Sequence, residues 1–99
     1  MKDLHLTPTD QRLVLMLRAL GNPARVLIVK ELRKRGTCQT GSLVDSLPLS
    51  QSTISEHLRR LKEAGIVVGE IDGPATCYGV NEEALQWLSN QLATTAAAD

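Results

Sequence analysis

The chain has 99 residues, which is one domain, and 42% of them are hydrophobic, enough for a globular core. Its only aromatics are Tyr78 and Trp87, so that core must be aliphatic, which suits packed helices; a lone copy of this size is marginal, and dimerisation is an attractive source of further burial. The net charge is zero, but residues 1–62 hold 11 basic and five acidic side chains (+6), and residues 63–99 hold six acidic and no basic ones (−6). Such a polarity lets one region bind phosphate although the whole is neutral, and a solvated surface sorted along the chain explains it equally well.

The first helix is expected from Thr9 or Asp10 to Leu20, with Gly21 as its stop and residues 1–8 flexible. Its block Leu13–Leu17 is apolar on nearly every side and must be covered on more than one face, for which a partner subunit is the natural cover. Asn22 then caps a second helix that has Pro23 in its first turn, where no hydrogen bond is lost, and that runs to Gly36. Arg33, Lys34 and Arg35 at its end complement the helix dipole, a role as good for them as DNA contact. Thr37-Cys38-Gln39 reads as a short strand. Thr40 or Ser42 caps a short third helix carrying Leu43, Val44 and Leu47, which Pro48 ends.

The fourth helix is expected over residues 50–64, closed by Gly65. Ile54, Leu58 and Leu61, spaced i, i+4, i+7, make one narrow apolar stripe. Ser52, Ser55, Glu56 and Arg59 fall on the other side; exposed serines are poor helix formers, and contact with a groove gives them a reason to be there. Two β-rich runs, residues 66–72 and 75–80, flank Gly73-Pro74 and read as a hairpin. Asn81 caps a last helix with Glu82 and Glu83 in its first turn and a wide apolar face of Ala84, Leu85, Trp87, Leu88 and Leu92, while residues 93–99 are expected to fray. Two helices joined by a tight turn, with a hairpin behind them, form a winged helix-turn-helix: mainly α with a small β-hairpin, about five helices plus a β-wing, in one domain over 1–99.

Ala19-Leu-Gly-Asn-Pro-Ala-Arg25 resembles the entry to the second helix in the ArsR/SmtB family of bacterial repressors. Leu49-Ser-Gln-Ser-Thr-Ile-Ser-Glu-His-Leu-Arg-Arg-Leu-Lys-Glu-Ala-Gly-Ile66 resembles that family's recognition helix. With the hairpin and terminal helix, the resemblance spans about residues 10–92. It implies a homodimer joined through the first and last helices (Leu13, Leu17, Leu85, Leu88 and Leu92 are the expected seam), with the fourth helix of each copy in the major groove of a palindromic operator. Half-sites then lie one or more helical turns (~34 Å) apart. Effector binding in this family usually weakens DNA binding.

Side chains at the start of a recognition helix reach base edges, here Gln51, Ser52, Thr53, Ser55 and Glu56: Gln can pair with adenine, Glu can accept from cytosine, and Ser or Thr serve base or phosphate. Arg59 and Arg60, a turn later, suit phosphates. His57 borders the apolar stripe, where DNA contact and a packed histidine with one satisfied nitrogen are equal readings. The wing carries Glu70 and Asp72 and no basic residue; the Thr76 hydroxyl and backbone amides near Gly73 remain to touch phosphate, with weaker and less salt-sensitive binding expected.

The family's metal sensors carry paired cysteines at the third helix or Asp/His sets on the last; here Cys38 stands alone, His5 and His57 are the only histidines, and no metal or cofactor is expected. Cys38 and Cys77 would face each other if strand 37–39 paired with the second wing strand, a possible redox pair, although two small residues filling a core is the favoured reading. The N-terminus lacks the apolar segment of a signal peptide, and the Leu13–Leu17 run falls far short of the ~18–20 apolar residues that span a bilayer, so a cytoplasmic location is expected. With no phosphate-binding loop, nucleophile elbow or metal-ligand pair, an enzyme is not expected. Zero net charge and the acidic wing leave one competitor to the DNA-binding repressor: a winged-helix module that contacts protein.

Overall fold

The computed structural model describes residues 4–36, 43–70 and 77–97. Helix α1 spans Pro8–Leu20, two residues longer at its start than the sequence suggests. The reason is a capping box one turn upstream: Thr7 Oγ1 accepts from the Asp10 amide (3.0 Å), and Asp10 Oδ2 accepts from the Thr7 amide (3.2 Å). Asp10 therefore stands in the third helical position and not at the cap. Gln11 Nε2 also donates to the Leu6 carbonyl (3.3 Å).

Helix α2 spans Pro23–Arg35, as the Asn-Pro signal dictates; Asn22 Oδ1 accepts from the amides of Ala24 (2.9 Å) and Arg25 (3.2 Å). Its end is braced sideways: Arg35 Nε donates to Glu31 Oε1 (2.8 Å), and Arg35 also donates to Ser46 of α3. The Arg35 hydrogen bond holds the Glu31 carboxyl below its ordinary value. Helix α3 is a single turn, Leu43–Ser46, so Leu47 follows it instead of belonging to it. The expected strand at 37–39 and the caps Thr40 and Ser42 lie outside the described residues.

Helix α4 spans Gln51–Glu63 with Ser50 as N-cap. It closes in a Schellman motif: the Ile66 amide donates to the Leu61 carbonyl and the Gly65 amide to the Lys62 carbonyl, both at 2.9 Å, while Leu61 and Ile66 are both fully buried. Gly65 sits at φ +78°, the left-handed geometry the motif demands. The chain emerges directly into strand β1 (Val67–Glu70), paired antiparallel with β2 (Cys77–Val80) in the register Val67 to Val80 and Gly69 to Tyr78. Val67, Tyr78 and Val80 are buried and tie the hairpin to the body.

Asn81 joins three elements. Its amide donates to the Ile66 carbonyl (2.8 Å), its Nδ2 donates to the Gly65 carbonyl (3.1 Å), and its Oδ1 accepts from the Ala84 amide (3.2 Å) as cap of α5. Helix α5 spans Glu82–Ala97. The tail expected to fray from residue 93 thus continues the helix for five more residues; alanine is the strongest helix former, and low complexity hid that propensity. Ala84 and Leu88 anchor α5 to the core, Arg12 of α1 lies 4.1 Å over the Trp87 ring, and Arg33 of α2 pairs with Glu82 (3.1 Å). Among the described residues no helix is long and apolar enough to cross a membrane.

Two stability predictions follow from these contacts. A Cβ at residue 65 would meet nothing within 4 Å, so only backbone strain opposes it. Gly65→Ala should cost about 1 kcal/mol and lower the melting temperature by roughly 4–8 °C; an unchanged or higher value would contradict the Schellman assignment. Burial pushes the Tyr78 phenol above its ordinary value of 10.0. The unfolded chain therefore ionises first, and stability should fall as pH rises past about 10. Tyr78→Phe should flatten that alkaline decline in denaturant melts, and an identical decline in the variant would assign it to other groups.

Candidate nucleic-acid interface

Helix α4 is held from one side only. Ile54, Leu58 and Leu61 are at most 1% exposed, while Gln51, Ser52, Thr53, Glu56, Arg59 and Arg60 are exposed and Ser55 is half-buried. The stripe expected from spacing is therefore the anchor, and the polar residues opposite it form a free face.

The start of that face is internally wired. Ser50 Oγ accepts from the Thr53 amide (3.3 Å), donates to Thr53 Oγ1 (2.9 Å) and lies 3.2 Å from Ser52 Oγ; Gln51 Nε2 donates to Ser55 Oγ (3.3 Å). These weak, exposed bonds orient the side chains and are exchangeable for partners on a ligand. Ser50 and Thr53 are explained by the cap; Ser52 and Ser55 are not needed by it.

Glu56 has a different place from the one expected. Its Oε2 lies 2.7 Å from Arg59 Nη1 and its Oε1 3.2 Å from Arg60 Nε, and Arg60 Nη1 stands 3.7 Å from Glu63 Oε2. One carboxylate thus pairs with both guanidinium groups expected to meet phosphate and offsets one of their two charges.

His57 is half-buried and takes the packed alternative. Its Nδ1 accepts from Arg25 Nε of α2 (3.1 Å), and Arg25 Nη1 donates onward to the Ala19 carbonyl of α1 (3.3 Å). With Nδ1 accepting, the proton of the neutral ring sits on Nε2. Arg25, which spacing alone could not implicate, is thus the tie between α1, α2 and α4. Lys62 is a second residue not foreseen: its Nζ donates to the Gly69 carbonyl (2.6 Å), bracing α4 against β1.

The wing tip with Thr76, together with Cys38 and the Cys77 side chain, lies outside the described residues. Among the described residues no group of three or more His, Cys, Asp or Glu is placed to hold a metal ion.

The expected seam divides. Leu17 and Leu92 are 41% and 44% exposed, and Leu13 and Leu85 are half-buried at the edge of the core. Leu88 is 6% exposed, one turn from Ala84, and packs within the core of the chain.

Residues 22–68 match the family described as bacterial regulatory protein, arsR family. The chain is 44% identical over 63 residues to the HTH-type transcriptional repressor SmtB of Mycobacterium tuberculosis, which is 64% of this chain but 46% of that protein, so the chain spans about half the length of that relative. It is 32% identical over 81 residues to the HTH-type transcriptional regulator CmtR of Mycobacterium bovis, covering 82% of this chain and 68% of that one. Among solved structures, an ArsR-like transcriptional regulator from a Rhodococcus species superposes with a TM-score of 0.78 at 27% identity, over 92% of this chain and 85% of that one. Sequence and fold agree, and the chain belongs to the ArsR family of winged helix-turn-helix regulators.

Proposed function

We propose that the chain is a DNA-binding transcriptional repressor that acts as a homodimer, with α4 of each copy in the major groove of a palindromic site. The observation that carries this reading is the free polar face of α4, with its serines and Gln51 at the helix start, on a helix whose other face is locked into the core. The relatives named as transcriptional repressors and regulators support it. They also disfavour a purely protein-binding module. Gln51, Ser52, Thr53 and Ser55 read bases, Arg59 and Arg60 meet phosphates, and Glu56 limits how strongly they do so.

The seam of the dimer is assigned to Leu13, Leu17, Leu85 and Leu92, joined by Val14 (39% exposed). Helix α5 outruns its own core: from Ser89 to the last described side chain only Gln91 is half-buried, and an uncovered helix end is marginal in water. A second copy covers that end. A stable dimer needs about 800 Å² from each partner, within reach of two helices of 13 and 16 residues.

Three measurements test these assignments. Ser52→Ala with Ser55→Ala should reduce affinity for a specific duplex by about tenfold or more in fluorescence anisotropy while leaving the melting temperature in place; an unaltered affinity would remove these serines from the interface. Glu56→Gln removes the negative charge beside Arg59 and Arg60, so the slope of log K against log salt should steepen by about one unit and non-specific binding should rise; an unchanged slope would deny the arginines their phosphate role. Leu17→Asp with Leu92→Asp should give a folded monomer by sedimentation, and a persisting dimer would place the seam elsewhere.

A further inference from the structure

Helices α1 and α2 and the C-terminal end of α4 border an open cleft of about 390 Å³ that shares Arg25 and Arg60 with the assignments above and adds Arg18. Its apolar lining is the buried Ala19 and the exposed Leu15 of α1 and the buried Ala64 that caps the end of α4. Its rim holds three guanidinium groups, Arg18, Arg25 and Arg60, against one carboxylate, Glu63. We propose that this cleft binds a small organic anion, a carboxylate on a compact apolar body, and that its occupancy acts on the recognition helix. The second half of this proposal rests on the DNA-binding reading above; the first does not.

The chemistry follows from the donors that remain. Arg25 spends Nε on His57 and Nη1 on the Ala19 carbonyl, which leaves the Nη2 donors of a half-buried guanidinium uncommitted in those bonds. Arg60 holds Glu56 through Nε, but its Nη1 stands 3.7 Å from Glu63, too far for a hydrogen bond. Arg18 has no ion-pair partner among the described residues. Arginine forks match a carboxylate in two parallel bonds and stack on flat rings, whereas a metal cation is repelled by three of them. The volume falls in the range of small-ligand sites. The cleft also lies at the far end of α4 from the residues assigned to base edges: Ala64 is 12 residues, roughly 18 Å along the axis, from Ser52 at 1.5 Å per residue, so a ligand there leaves the helix start uncovered and competes with phosphate only for Arg60.

Coupling is built into the same side chains. An anion that recruits Arg60 draws it from Glu56, and one that pairs with Nη2 of Arg25 holds the same guanidinium whose Nε is bonded to His57 Nδ1. Glu56 and His57 are both on α4, so the recognition helix changes its internal pairing and feels the load on its tie to α2 when the cleft fills.

The test uses the full chain in ¹⁵N NMR, titrated with sodium benzoate, with neutral benzamide as a shape control, and with inorganic phosphate. Benzoate should give saturable shifts centred on Arg18, Ala19, Arg25 and Ala64, benzamide none, and phosphate weaker ones. Arg18→Ala should weaken benzoate binding about tenfold, the effect of losing one charge-assisted contact, with no change in melting temperature. No saturable benzoate shift, equal shifts from benzamide, or full affinity in Arg18→Ala would overturn the site; phosphate binding as tight as benzoate would overturn the requirement for an apolar body. Because this arm contains no DNA, it reads the site even if the DNA-binding reading fails. In a second arm, saturating benzoate should shift duplex affinity several-fold for the natural chain and not for Arg18→Ala. An equal shift in both would overturn the coupling.

Discussion

The burial of three side chains on one helix, Ile54, Leu58 and Leu61, is what the rest of the architecture depends on. Each is essentially excluded from water, and each contributes roughly 1.5–3 kcal/mol relative to an exposed position. Because the stripe is narrow, α4 is gripped along one line, and the remaining faces stay available. A wider apolar face would hold the helix more firmly and leave nothing to present. The fold therefore supplements the stripe with polar ties: Arg25 to His57 on one flank, Lys62 to the Gly69 carbonyl on the other, and the Schellman turn at Gly65 below. These fix rotation about the helix axis, which burial alone leaves soft.

Electrostatics on this helix are arranged for restraint. Glu56 occupies both arginines expected to grip phosphate, and the first wing strand ends in an exposed Glu70. Surface pairs of this kind add little to stability, so on the proposed reading their main consequence is for association: a phosphate contact by Arg59 or Arg60 must be won from Glu56. Recognition on that reading rests more on the fit of Gln51, Ser52 and Ser55 to base edges than on bulk attraction to the duplex.

Much of this was legible in the sequence where the signal is local. The i, i+4, i+7 apolar spacing located the α4 stripe, Asn22-Pro23 located the start of α2, Gly65 the end of α4, and Asn81 the cap of α5. The start of α1 was misplaced because two acceptable caps, Thr7 and Thr9, stand close together, and only the reciprocal bond with Asp10 distinguishes them. The end of α5 was misplaced because an alanine-rich tail is at once low-complexity and strongly helix-forming. In the site, the pairing of Glu56 with Arg59 and Arg60 is local and its spacing stood in the sequence, whereas Arg25 and His57 are 32 residues apart, and nothing in the spacing of either announces their contact. Leu88 looked like the other leucines of α5, and only the packing of Ala84 against the core shows which way it turns. The cleft combines residues from three helices and has no sequence signature.

The central claim, that α4 reads DNA from a two-fold symmetric pair of subunits, is tested most directly by selection of bound sequences from random duplex DNA at low salt. The account predicts enrichment of a palindrome with half-sites about one or more helical turns apart. A folded protein that enriches no sequence, or enriches an asymmetric one bound by a monomer, would contradict it.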